Sequence, residues 1–255
     1  MTLHLLTIVL DGEPWIRRHL PEFERLPFPW MWHVVEGAAM NRHCTSWCNA
    51  QKPRISSDGT TKYLDTIAHH PKVRLHRRTQ WDGKIEMVNT PLADIREECV
   101  LMQLDSDELW HAEQLESVVR AFDICRDVGS MQFRCNYFVG PNIAAVTDGC
   151  YGNRGDEWMR AWRFRPGMKF ISHEPPVMAG TRGRMMTRKD TAALGMVFDH
   201  MAYVSEKQVA AKGAFYGYRD AVKHWRRLQE NKVWPARLGS FLPWVHDEAM
   251  ADLVK

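Results

Sequence analysis

Apolar and polar positions divide the first half of the chain into alternating strands and helices. Leu3 to Leu10 has no polar interruption after His4 beyond one threonine, as expected of a strand buried on both faces of a parallel sheet. Asp11, Gly12, Glu13 and Pro14 make a turn, and Trp15 to Leu26 reads as an amphipathic helix interrupted or restarted at Pro21. Trp30 to Glu36 is a second strand. The SSDGT turn leads into a helix over Thr61 to His69, and Val73 to His76 is a short third strand. A helix carrying Lys84, Met87 and Asn89 precedes Pro91. The buried strand Val100 to Leu104 then runs into Asp105, Asp107 and Glu108, and Ala112 to Cys125 repeats Leu115, Val118, Val119 and Phe122 at helical spacing. A helix after each strand predicts an α/β fold with a mostly parallel central sheet.

The second half is less regular. Met131 to Val139 reads as one alternating strand, and Thr147 to Glu157 as a Gly-rich polar loop of the kind that borders sites. The segment from Met159 to Met178 suggests a hairpin turning at Pro166 and Gly167, which would deliver His173 and Glu174 to a strand end. Ser205 and Gln208 form a capping pair for one long helix whose apolar face holds Val209, Lys212, Phe215, Tyr216, Ala221 and Trp225. Nothing is assigned beyond Pro235. Residues 1–255 are expected to form one domain, with a helix and tail from about residue 205.

Composition narrows the class without deciding function. At 255 residues, 45% hydrophobic and 25% charged, the chain suits one sizeable globular domain. Six scattered cysteines do not resemble a disulfide framework, and no stretch reads as a signal peptide or a membrane span, so a cytoplasmic protein is expected. After residue 150, 18 Lys and Arg face 11 Asp and Glu, against 16 and 20 before it. That mild asymmetry does not argue for nucleic acid as a partner. Lys207, Lys212, Lys223, Arg226 and Arg227 are best read as a solvated helix face. His43, Cys44 and Cys48 lack a second ligand pair and read as a metal-free loop.

The chemistry concentrates at strand ends. Asp105 and Asp107 lie two positions apart, so an extended backbone turns both carboxylates to one side. Their hard oxygens suit Mg²⁺ or Mn²⁺. A turn followed by a helix cap is an equally good local reading. Glu36 ends the preceding apolar strand in the same way and would share the crevice.

Taken together, Glu36, Asp105-Ser106-Asp107, the Arg-x-Phe-Arg segment leading to His173-Glu174, and Asp199-His200 before a Tyr-Val and a helix resemble the GT-A glycosyltransferases, especially family 2-like members. The resemblance covers about residues 3 to 215. It implies a metal- and diphosphate-binding DxD motif at Asp105 and Asp107, a nucleoside-holding acid at Glu36, and His200 completing the metal shell. Glu36-Gly37-Ala38 departs from the usual nucleoside motif. Chemistry makes matching demands: a cation offsets charge on a leaving diphosphate, and a base such as Glu174 takes the acceptor proton in an inverting transfer. A salt bridge to Arg163 or Arg165 is the competing role for Glu174. Lys84, Arg160 and Arg163 are candidate phosphate contacts, and Trp110 and Trp158 candidate sugar platforms. The expected partners are a UDP-, GDP- or dTDP-type sugar donor and a glycan or other hydroxyl acceptor. The rivals are a sugar-nucleotide nucleotidyltransferase, disfavoured by the DGEPW turn, and a non-catalytic glycan- or partner-binding module.

Overall fold

The computed structural model describes residues 1–42, 45–49, 51–155 and 157–254. In chain order the first half contains β1 (Leu3–Val9), α1 (His19–Glu24), β2 (Trp30–Ala39), α2 (Thr60–Ile67), β3 (Val73–Trp81), α3 (Lys84–Asn89), β4 (Cys99–Gln103), β5 (Glu108–Leu109) and α4 (Ala112–Ile124). The second half contains β6 (Val128–Gln132), β7 (Arg134–Gly140), β8 (Ile143–Ala145), β9 (Met159–Phe164), β10 (Lys169–His173), β11 (Pro176–Ala179), β12 (Arg184–Met186), α5 (Arg188–Ala193), β13 (Val197–His200), α6 (Glu206–Tyr216), α7 (Ala221–Gln229), β14 (Ala236–Arg237) and β15 (Met250–Leu253). Among the described residues, no helix is long and apolar enough to cross a membrane.

The main sheet has seven strands in the order β12-β6-β9-β4-β1-β2-β3. Pairs β1/β2, β1/β4, β2/β3 and β6/β12 are parallel, and β9 runs antiparallel between β4 and β6. Both faces are covered, which explains the nearly unbroken apolar runs of β1 and β4. One face packs Leu5, Trp32, Met102, Leu115 and Phe122; the other packs Leu6, Val35, Leu101, Met87 and Phe170.

A second sheet, β14-β15-β8-β7-β13-β5, was not anticipated. The expected strand Met131 to Val139 is two strands, since the chain leaves the main sheet at β6 and enters the second at β7. Phe133, buried at the junction, donates its backbone N–H to the Trp158 carbonyl at 2.9 Å. The expected hairpin at Pro166 and Gly167 is also absent: β10 leaves β9 and pairs with β11 instead, turning through Glu174 and Pro175. The long C-terminal helix is two helices, because Gly217 takes φ 74° as the α6 cap and Asp220 φ 50° before α7. The tail that carried no assignment closes the second sheet through β14 and β15. β2 and β3 each run past their expected ends, to Ala39 and Trp81. Of the loop grouping read as metal-free, His43 and Cys44 lie outside the described residues, while Cys48 is buried.

Candidate functional site

The C-terminal ends of β1 and β4, α3, the β10–β11 turn, β13 and α6 surround a cleft of about 1110 Å³. A crevice at this edge of an open parallel sheet is where α/β folds place ligands. Asp105, Ser106 and Asp107 form its floor. Their turn is pinned on several sides: His19 Nε2 donates to the Ser106 carbonyl at 3.1 Å, Glu108 N to the Asp105 carbonyl at 3.0 Å and Met201 N to the Asp107 carbonyl at 2.8 Å. Burial lowers His19 to about 4, so its ring is neutral there. Gly12 lies against this turn; a Cβ on it would come within 2.6 Å of Val9 Cγ2 and 3.0 Å of Ser106 Cβ.

The two acids differ. Asp107 is mostly enclosed, with Oδ2 2.9 Å from Lys212 Nζ and Oδ1 3.5 Å from His200 Nε2. Burial pushes its carboxyl up, and Lys212 and His200 more than reverse this, holding it well below the usual carboxylate range. Asp105 is more open, at 30% exposure, with Oδ2 3.3 Å from Arg160 Nη2. Arg160 is itself held by Glu108 through contacts of 3.0 Å from Nε and 2.6 Å from Nη2. Burial pulls the guanidinium down and Glu108 and Asp105 outweigh it, so Arg160 is a fixed positive charge on the cleft wall.

Across the cleft, Lys84 Nζ donates to Glu174. Burial raises the Glu174 carboxyl, and Lys84 with His173 lowers it further, to about 2. The alternative partners do not compete, since Arg163 faces inward and donates to the carbonyls of Val128 and Phe122, while Arg165 pairs with Glu98.

Of the residues singled out from sequence, Lys84, Asp105, Asp107, Arg160, Trp158, Glu174 and His200 all line this cleft. Glu36 does not. Its carboxylate is fully buried, accepting from Arg77 Nε and Thr61 Oγ1 at 2.5 Å each. Trp110 is a core side chain stacked on Phe198 with ring centroids 4.6 Å apart, and Arg163 is a core cation. Sequence reading missed Lys212, which projects from α6 into the cleft rather than into solvent. The signal was present: Lys212 falls on the helix face of Val209, Phe215 and Tyr216. It also missed Asp11, at φ 59° just beyond β1, whose carboxylate accepts from Ser57 N at 2.8 Å and Arg54 Nη2 at 2.5 Å.

The carboxylates of Asp105 and Asp107 are hard-oxygen donors in an accessible cleft, which fits a divalent cation. Among the described residues, the two acids and His200 do not together bring one ligand atom each within 4.8 Å of one another; His200 Nε2 lies 3.5 Å from Asp107 Oδ1, so it is Asp105 that stands apart. His200 supports Asp107 through Nε2. Its ring is wedged edge-on against Tyr137 and Trp158, with centroids 5.0 Å from each.

Strand order and the likeness to a solved structure define a GT-A-type fold. A mannosyltransferase, PcManGT from Pyrobaculum calidifontis in complex with GDP-Man and Mn²⁺, superposes with a TM-score of 0.51 at 17% identity, over 91% of this chain and 65% of its own. TarS 1-349 of S. aureus in complex with UDP aligns at 0.44 and 14% identity, over 64% of this chain and 47% of its own, so the chain spans about half the length of that protein. A CMP:2-keto-3-deoxy-manno-octonic acid synthetase complexed with CTP aligns at 0.36 and 9% identity, over 76% and 78%. No protein-family model and no curated protein sequence matches the chain.

Proposed function

We propose that the protein is a metal-dependent glycosyltransferase that moves a sugar from a nucleoside diphosphate to a hydroxyl acceptor with inversion. The observation that carries this reading is the gathering of two cleft-lining acids, Asp105 and Asp107, with Lys84, Arg160 and Lys212 in one cleft at the strand ends. Such a cleft complements a diphosphate bridged by a cation. Asp105 and Asp107 hold Mn²⁺ or Mg²⁺, which when bound offsets negative charge on the leaving diphosphate. Lys212 keeps Asp107 ionised and ready to ligate, and His200 fixes its orientation. Asp11, rather than Glu36, is the acid available to the nucleoside, because it lines the cleft with both oxygens oriented by Arg54 and Ser57.

Glu174 is the proposed base. Its carboxylate takes the acceptor hydroxyl proton as the acceptor oxygen bonds to the anomeric carbon. The bond from that carbon to the diphosphate breaks, leaving its electron pair on the phosphate oxygen. A carboxyl held near 2 by Lys84 has little proton affinity. An anionic donor beside Lys84 draws the ammonium toward phosphate and restores basicity to Glu174, coupling base strength to donor binding.

Calorimetric titration of UDP, GDP and dTDP, each with Mn²⁺ and with EDTA, tests the reading on the unmodified protein and on Asp107→Ala. One nucleotide binding only with metal and only to the unmodified protein is the expected result. Absence of binding under every condition overturns it and favours a module that has kept the fold without the chemistry.

A further inference from the structure

Away from the cleft, three histidines stand side by side on the parallel strands. His4 on β1, His33 on β2 and His76 on β3 share the sheet face that packs Leu6 and Val35. His4 Nδ1 lies 3.0 Å from His33 Nε2 and the two rings stack; His33 and His76 stack with centroids 6.1 Å apart. Asp94, in the 3-10 turn Thr90–Asp94 that follows α3, closes the row with Oδ2 3.8 Å from His76 Nε2. His33, His76 and Asp94 each bring a ligand atom within 4.8 Å of the others. None of them lines the cleft.

We propose that His33, His76 and Asp94 form a structural binding site for a borderline divalent cation such as Zn²⁺, with water completing a tetrahedral shell. Two buried ring nitrogens point to a ligand: among the described residues, His33 Nδ1 and His76 Nε2 have no hydrogen-bond partner, although His33 is only 2% exposed. An orphaned buried nitrogen costs free energy that coordination recovers. Two imidazoles and one carboxylate are a common zinc donor set. The tautomers agree: a proton on His33 Nε2, donated to His4 Nδ1, leaves the lone pair of His33 Nδ1 free and makes His4 the outer partner that metal-bound histidines require. Burial lowers both rings, His33 to about 3, so they are neutral and able to ligate. The Arg74 guanidinium, whose charge acts on His33, donates to the carbonyls of Pro71 and Val73 at 3.0 Å. Asp94 is 56% exposed, so the ion has a route in from solvent. The ion would tie β2 and β3 to the segment leading into β4.

The test is a Co²⁺ titration of chelator-stripped protein carrying Asp105→Asn and Asp107→Asn, which removes the cleft carboxylates from the readout. One equivalent of Co²⁺ producing an intense tetrahedral visible band is expected. His76→Gln or Asp94→Asn added to that background should weaken binding at least ~10-fold. Both side chains reach solvent, so these variants should fold, and far-ultraviolet circular dichroism checks that they do. Zn²⁺ should raise the melting temperature of the background protein and leave that of the His76→Gln variant unchanged. No intense band, or a band that neither substitution weakens, overturns the proposal. The result is independent of nucleotide binding in the cleft.

Discussion

Glu36 and Asp107 occupy similar places in the sequence, each an acid where an apolar strand run stops, and the fold treats them in opposite ways. Glu36 is sealed under the extended ends of β2 and β3, with both carboxylate oxygens bonded to Arg77 and Thr61. Asp107 lies one turn beyond β4, where the backbone has left the main sheet, and its oxygens meet the half-exposed Lys212 and the tip of His200 at the cleft wall. A carboxylate closed on all sides stabilises only if its partner stays, whereas one that opens on a cleft can exchange its partner for a ligand. Position at a strand end is therefore insufficient to assign function. What decides is whether the acid's cation can be displaced.

The largest effect should come from breaking a closed pair. Arg160→Met leaves Glu108, which is fully buried, without its guanidinium. Loss of one partner of a buried ion pair costs about 3–5 kcal/mol, to be read from urea unfolding. A loss below about 1 kcal/mol would mean that Glu108 simply takes up a proton at little cost. Next comes the acid on the cleft: Asp107→Asn should cut metal-dependent transfer by ~10²–10³-fold, and should lower stability by less than Arg160→Met, because Lys212 can turn to solvent once the contacts that hold the Asp107 carboxyl low are gone. A comparable loss of stability in both variants would erase the distinction between the two kinds of acid.

The contrast also explains what could be read from the sequence. The runs Leu3 to Leu10 and Val100 to Leu104 identified the central strands because burial on both faces leaves no polar positions to blur them. That alone placed Asp105 and Asp107 at the right edge of the sheet. Glu36 was misread because the expected strand Val73 to His76 stops five residues short of the end of β3 at Trp81. Arg77, the residue after His76, lies directly opposite Glu36 in the register, so the shortened strand concealed the partner. The division of Met131 to Val139 between two sheets has no local mark, neither Gly nor Pro. It is set by the pairing of β7 with the distant β13, beside its local hairpin with β8. The break in the last helix was marked by Gly217, but the apolar positions continued past it and favoured a single element.

A smaller effect is expected at Glu174, which is open like Asp107 yet is proposed to act on the acceptor. Glu174→Gln should not weaken donor binding by calorimetry, and should tighten it because Lys84 is freed for the donor, while transfer slows by about 10²-fold. If donor affinity falls instead, Glu174 serves the donor through Lys84 rather than the acceptor. Lys84→Met sharpens the point: it removes the cation that holds Glu174 near 2. The acid limb of the transfer rate against pH should then move upward, even though Lys84→Met also weakens donor affinity.

The smallest effect is on stability, and its sign follows from the same pair. Glu174 has a folded pKa of about 2 against an ordinary 4.5. The unfolded state therefore takes up the proton first as pH falls, and the stability that the Lys84 contact supplies is fully present above about 4.5 and lost progressively down toward 2. With Glu174 at 29% exposure, solvent screens part of this contribution. Urea unfolding of the unmodified protein and Glu174→Gln at pH 6 and again at pH 3 should show the gap between them narrowing at the lower pH. An unchanged gap would mean that Lys84 does not hold the carboxylate ionised in solution. Glu174 would then be a readier base without the donor, and donor-coupled activation would be unnecessary.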